Sequence, residues 1–276
     1  MPTAKSTSIP SIRPFIFESF GVVIKIDSNV QAIVDEGERV ARSSLLNWLQ
    51  PVNRKKVDQS FEIKRNKSNY VLYQNNEGIA SSRSKKKFFK FFDGIIRITI
   101  GENAVERVFL HAGAVGWKGK GIVLPAESFK GKSTLVAELV RQGAEYYSDD
   151  FAIFDKNGLL YPFPRIISMR TDDGVYRPYE ITVESLGGVA AVKPLPVGLV
   201  LFTEYEPGQK WKPEKVSAGK GVLAMIPFVL PMRLKPEFSM RVLNSIASRA
   251  IITSSRRGAA KEFAKALLDF VDKNVN

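Results

Sequence analysis

"LPAESFKGKSTL", residues 124–135, decides the fold. It ends as phosphate-binding loops end, with Gly131, Lys132 and Ser133. The apolar run "GIVLP" leads into it as a strand, and "STLVAELVRQG" leaves it with apolar residues at helical spacing. A loop set between a strand and a helix binds phosphate for a simple reason. The first N–H groups of the helix point at the anion, and the helix dipole favours negative charge. Lysine adds a point charge for the β- and γ-phosphates, and the following hydroxyl binds Mg²⁺. Lys132 and Ser133 are those two groups. The expected cradle runs over Ala126, Glu127, Ser128, Phe129, Lys130, Gly131, Lys132, Ser133 and Thr134. Two positions that are commonly glycine hold Ala126 and Phe129. Alanine tolerates positive φ poorly, and Phe129 crowds the cradle or covers the nucleotide. Chance alone puts the relaxed pattern, Ala or Gly, four free positions, then Gly-Lys-Ser/Thr, in roughly 2% of chains this long. The flanking strand and helix therefore weigh in the reading beside the motif; the plain alternative is a lysine at a helix N-terminus.

Downstream, Gly143 stops the helix expected over 132–142, and "AEYYSDDFAIFD" returns as a strand or strand pair. A phosphate cradle binds but does not react; transfer needs an acid or base and a second metal ligand. Asp149 and Asp150 offer both. Adjacent strand residues point to opposite sides, so one can hold Mg²⁺ while the other accepts a proton from an attacking hydroxyl. The bland alternative is an acidic pair at a turn. Upstream, "FLHAGAVGW" and "IVLPA" are strands joined by the tight turn "KGKG". That hairpin brings His111, the one histidine in the chain, near the loop.

Further out, "PFIFESFGVVIKI" (14–26) suggests a strand with a break near Gly21, and residues 29–49 fit an amphipathic helix that Pro51 closes. "FEIKRNKSNYVLYQNNEG" gives two short strands around a polar turn at Asn66–Asn69. Residues 81–110 are ambiguous. "IIRITI" has strand propensity, yet Phe88, Phe92, Ile95 and Ile96 recur at helical spacing. Lys85–Lys87 beside four phenylalanines could dock on nucleic acid or a membrane surface. The competing reading is the solvated start of a helix whose phenylalanines are core. Asn157–Gly158 marks a hairpin turn, "PVGLVLFTEY" a strand, and the last quarter helices, with Ser217 as a cap, Pro236 at a start and a final helix over 258–272.

The chain has 276 residues, 44% hydrophobic, enough for a sizeable core and one large domain or two modest ones. The division expected is a small N-terminal α+β region, 1–84, and a larger domain with the phosphate loop, 85–276. No apolar run reaches the roughly 18 residues of a membrane helix. "MPTAKSTSIPSIRP" reads as a short flexible leader rather than a secretory signal. With no cysteine, disulfides, thiolate metal sites and cysteine nucleophiles are excluded, and a reducing cytoplasm fits. The net charge of +13 attracts nucleic acid, anionic membranes, acidic partners or phosphorylated ligands. No nucleic-acid motif accompanies it, so nucleic acid is not an expected partner.

Residues 108–155 resemble the catalytic core of bacterial HPr kinase/phosphorylases and the HPr-kinase-related proteins around them. The order is the family's: His-Ala, a hairpin, a loop ending Gly-Lys-Ser, a helix, Gly, then Asp-Asp. The resemblance extends over about residues 108–270. It implies an α/β (α+β) fold with a mixed, largely antiparallel sheet, the phosphate loop (a P-loop) and flanking helices, similar to phosphoenolpyruvate carboxykinase. It implies an ATP- and Mg²⁺-dependent kinase that phosphorylates a serine of a protein or peptide. Carried over, Lys132 and Ser133 bind phosphate and Mg²⁺, Asp149 activates the substrate hydroxyl, and Asp150 helps with metal. His111 lies by the transferred phosphate, and Gly131 lets the backbone approach. The family's Glu-x-Arg-Gly-x-Gly signature has its counterpart in "TVESLGG", 182–188, with Glu184 in place as a third metal ligand and no arginine following. Arg165 and Arg170 are the cations that can replace it. Residues 1–80 do not resemble the family's sensor domain, so neither HPr as substrate nor the phosphorylase back-reaction is implied. An oligomer is implied, and pyrophosphate is a second donor that some of the family use. The competing reading is a nucleotide-binding regulatory module with degenerate catalysis.

Overall fold

The computed structural model describes residues 12–127, 130–170 and 178–275. Its contacts divide the chain into two compact units, Met1–Ile100 and Gly101–Asn276.

The first unit opens with strands β1 (Phe15–Ser19) and β2 (Val22–Ser28). The expected strand with a break is an antiparallel hairpin whose two-residue turn, Phe20–Gly21, has positive φ at both positions. Such a turn matches the strands' own twist, so the chain reverses rather than kinks. Helix α1 (Gln31–Leu45) follows, then β3 (Gln50–Pro51), β4 (Gln59–Asn66), β5 (Asn69–Gln74) and β6 (Glu77–Ser82). The sheet runs β3-β1-β2-β4-β5-β6. Helix α2 (Lys85–Asn103) settles the ambiguous stretch in favour of helical spacing. Phe88, Phe89, Phe92 and Ile96 are buried, Phe92 edge-on to Phe61, while Lys85, Lys86 and Lys87 stay exposed. Strand propensity in "IIRITI" lost because its buried positions recur every three or four residues against one apolar sheet face.

The second unit carries β7 (Arg107–Trp117), β8 (Lys120–Pro125), α3 (Lys132–Arg141), β9 (Glu145–Ser148), β10 (Phe151–Asp155) and β11 (Leu159–Tyr161). A small hairpin of β12 (Ile167–Arg170) and β13 (Pro178–Ile181) comes next. Then follow β14 (Leu195–Tyr205), β15 (Glu214–Lys215), α4 (Ala218–Met225), α5 (Pro236–Ala247), β16 (Ile251–Arg257) and α6 (Ala260–Asn274). The main sheet runs β11-β10-β7-β8-β14-β16-β15, with β9 also on β7 and β11 also on β14. It is mixed: β8, β14 and β16 are mutually parallel, and the other pairings are antiparallel.

Alternate residues of the central strands serve opposite faces. Leu110, Ala112, Val123 and Val200 pack with α4 and α5 residues such as Val222, Val242 and Leu243. Val115, Ile122, Leu124, Leu199 and Leu201 pack with α3 and α6 residues such as Val136, Leu139, Phe263 and Leu267. The result is helices on both faces of a mixed sheet, an α+β architecture. "IITSSRR" is a strand inside a stretch expected to be helical. It pairs along β14 from Leu199–Ile251 to Tyr205–Arg257, so a central position overrides its modest pattern. Among the described residues no helix is long and apolar enough to cross a membrane.

Candidate functional site

The strand ends fix where the chemistry gathers. β8 ends at Pro125, and its neighbour β7 reaches the same edge at Ala112, which pairs with Pro125. β10 lies on the other side of β7, with Phe151 opposite His111. His111, the residues after Pro125 and the Asp149–Asp150 turn before β10 thus share one edge of the sheet.

Gly131 is the N-cap of α3, with φ +77° in the left-handed region that favours glycine. The first helical bond runs from the Leu135 N–H to the Gly131 carbonyl, 3.1 Å, so the amides ahead of Leu135 have no intrahelical partner. Lys132 then turns its side chain back over β7. Gly113 makes the room: a Cβ there would lie 2.6 Å from Val136 Cγ2 and 3.1 Å from Lys132 Cγ. Lys132 Nζ is buried and has no hydrogen-bond partner among the described residues. Burial lowers its pKa to about 8, against the pull of Asp150 and Asp149.

Asp149 is 8% exposed and accepts a hydrogen bond from Ser133. Burial, then the charge of Asp150, push its carboxyl up to about 6, while Ser133, Lys132 and Arg165 pull the other way. Tyr146 Oη donates to the Arg165 carbonyl at 2.8 Å and lies 3.5 Å from Asp149 Oδ1. Arg165 Nη1 stands 3.8 Å from Asp150 Oδ2. The turn itself is fixed by Ser148, whose hydroxyl accepts from the N–H groups of Asp150 and Phe151 at 3.2 and 3.1 Å. Burial and the Lys132 charge hold the His111 imidazole down to about 4, with Asp150 opposing, so it is neutral at pH 7.

Lys132, Ser133, Asp149, Asp150 and His111 are therefore brought together. Gly131 stands at the head of α3, and Thr134 in its first turn is exposed. Ala126 is half-buried and Glu127 and Lys130 are exposed, Lys130 paired with Glu204 at 3.0 Å. Ser128 and Phe129 lie outside the described residues. Glu184 sits on a short 3-10 turn, 184–186. That segment packs near the far end of α3, where Gly188 closes on Val140. Val140 is eight residues from Lys132, about 12 Å along a helix, and among the described residues nothing joins Glu184 to the aspartate pair. Among the described residues no group of three or more His, Cys, Asp or Glu side chains could hold a metal ion.

Two features escaped the sequence reading. Arg257, at the end of β16, donates from Nη2 to the Gly131 carbonyl at 3.0 Å. A cleft of about 1180 Å³ opens beside the loop, lined among others by Ala126, Lys130, Phe202, Thr203 and Arg256. Both depend on β16 lying beside β14, a pairing over fifty residues apart that no local pattern announces.

No protein-family model and no curated protein matches the chain. Among solved structures, the chain is similar to the Hpr(Ser) kinase/phosphatase from Coxiella burnetii, at 14% identity, covering 60% of this chain and 94% of that one, with a TM-score of 0.30. A superposition at that score carries no argument for function, so the functional reading stands on the chain's own site.

Proposed function

We propose that the chain is an ATP-dependent kinase of the HPr-kinase-like type, transferring the γ-phosphoryl group to a serine hydroxyl of a protein or peptide in the cytoplasm. The observation that carries this is the buried ammonium of Lys132 at a helix start, with no hydrogen-bond partner among the described residues, beside a buried carboxyl raised to about 6. A buried ammonium without a hydrogen-bond partner is costly, and a polyphosphate on the free amides of α3 would supply acceptor oxygens beside the charges of Asp149 and Asp150. The adjoining cleft leaves room for the nucleoside.

In this reading Asp149 is the general base. Its carboxylate takes the proton of the serine hydroxyl as Oγ bonds to the γ-phosphorus and the β–γ bridging P–O bond breaks, releasing ADP. A carboxyl raised towards neutrality is a stronger proton acceptor than an ordinary one while still ionised at pH 7. Lys132 and the α3 amides hold the phosphate oxygens. Arg165 lies where it balances the acidic pair. His111 stays neutral and adds no second charge beside Lys132. Ser133 and Asp150 are the side chains that would hold Mg²⁺, since that ion is commonly bound by one or two protein oxygens with substrate phosphates and water. Bound there, Mg²⁺ would neutralise charge on the phosphoryl oxygens.

The test is radiolabelled ATP with candidate peptides. Label should appear on serine. Asp149→Asn should abolish labelling while ATP·Mg²⁺ still binds, and Lys132→Ala should lose binding by about ten- to a hundred-fold, as expected for a charged hydrogen-bond partner. Unchanged ATP binding in Lys132→Ala would sink the site itself. Binding without turnover on any acceptor would favour a regulatory nucleotide-binding module.

A further inference from the structure

We infer that Arg257 is a positioning residue that sets the turn from the phosphate loop into α3 through the carbonyl of Gly131. The inference rests on the phosphate-binding role given to that loop above. Arg257 closes β16 with only 2% of its surface exposed. Its guanidinium lies 5.7 Å from the Tyr205 ring centroid and 5.8 Å from that of Phe263. Nη2 donates to the Gly131 carbonyl at 3.0 Å and Nη1 to the Gly258 carbonyl at 3.1 Å, while Nε has no partner among the described residues. Its own carbonyl accepts the Glu206 N–H at 2.9 Å, which ties the strand end to the segment after β14.

This is an unusual way to fill buried space. No carboxylate among the described residues pairs with this guanidinium. Burying a guanidinium that meets two carbonyls and two aromatic rings, with no carboxylate, is often no better for stability than packing an apolar side chain of the same volume. The position needs a donor, and the acceptor it reaches is the residue where the loop becomes a helix. Gly131 carries two loads on one oxygen, the Leu135 N–H at 3.1 Å and Arg257 Nη2 at 3.0 Å, one for each lone pair. The fit is close on both sides: a Cβ on Gly131 would stand 2.7 Å from Nη2.

The backbone gives a reason for such a brace. Gly131 turns the chain into α3 at φ +77°, and its carbonyl is the acceptor that Arg257 holds from outside the helix. A second side-chain tie, Lys130 to Glu204, joins two exposed groups and adds little. The buried arginine is the contact that fixes which way the amides ahead of Leu135 point.

The experiment measures affinity for ATP·Mg²⁺ and for magnesium tripolyphosphate, together with Tm, on the full chain. The proteins are wild type, Arg257→Gln, Arg257→Lys, Gly131→Ala and the double variant Arg257→Gln/Gly131→Ala. Arg257→Gln should weaken both ligands by about ten-fold or more, the ratio one charged hydrogen bond carries. Arg257→Lys should recover part of the loss. Gly131→Ala should lose a similar factor, and the double variant should be no weaker than the worse single, because both act on one turn. A role in packing alone would lower Tm and leave the affinity of the folded protein unchanged. Wild-type affinity in folded Arg257→Gln, or single losses that multiply in the double variant, would overturn the inference. If Arg257→Gln does not fold, wild-type affinity in Arg257→Lys overturns it equally. Failure of wild type to bind either ligand would instead overturn the phosphate-site reading.

Discussion

Asp149 and Lys132 are displaced towards each other's range, one up to about 6 and the other down to about 8, and burial is the leading cause in both. The signs matter. The fold favours protonated Asp149, so the stability that group contributes is present below its ordinary 3.8 and lost as pH rises through about 6. The fold favours neutral Lys132, so its contribution is present above 10.5 and lost as pH falls through about 8. Between those limits both groups are charged and both weigh against the apo fold. The same window is where the proposed chemistry works, since the base must be ionised and the lysine protonated. The rate of serine labelling, measured as kcat/KM, should therefore be bell-shaped, rising with an apparent pKa near 6 and falling with one near 8. Replacing Asp150 by Asn should move the rising limb to lower pH, because its charge is the second cause of the upward shift. A rising limb that stays in place in Asp150→Asn would remove Asp149 as its source.

At the level of elements, the contact of β7 with α3 decides whether Lys132 can turn inward. Gly113→Ala puts a Cβ into Val136 and the stem of Lys132, so it should cost about 1–3 kcal/mol of stability by overpacking and weaken ATP binding as well. Gly94→Ala is the control. Gly94 lies inside α2 with nothing within 4 Å of the added carbon, and alanine there should stabilise by about 0.5–1 kcal/mol. Thermal melts and titration calorimetry separate the two effects; equal Tm changes of the same sign would refute the packing argument. The local signals of this region were legible in the sequence. The hairpin at Lys118–Gly119, both with positive φ, the strand into Pro125, α3 and the stop at Gly143 all follow from turn chemistry and spacing within a few residues. The Phe20–Gly21 turn was equally local but lacked the Asn or second Gly that usually marks such a reversal. β16 was not legible, because "IITSSRR" earns its strand conformation from β14, and with it went the position of Arg257. Register across a parallel pair is a tertiary property, and the site's outer wall is built from it.

For the whole molecule the question is what a net charge of +13 means for any anion that binds. A diffuse basic surface attracts polyanions of every kind, with steep dependence on salt and little on one residue. A built site behaves otherwise. Its ligand stabilises the folded state by mass action, about 2.7 kcal/mol at a hundred times Kd, which raises Tm by roughly 5–10 °C for a unit of this size. ATP·Mg²⁺ should produce that shift in wild type and about half of it or less in Lys132→Ala, although the variant lowers the net charge only from +13 to +12. The shift should also shrink above pH 8, where Lys132 begins to lose its proton. RNA or heparin at matched anionic charge should stabilise wild type and Lys132→Ala alike, because such ligands spread over the surface. If ATP·Mg²⁺ behaved as they do, with the same shift in both proteins and the same loss on raising salt from 50 to 200 mM, the chain would be a general anion binder and Lys132 an ordinary buried lysine.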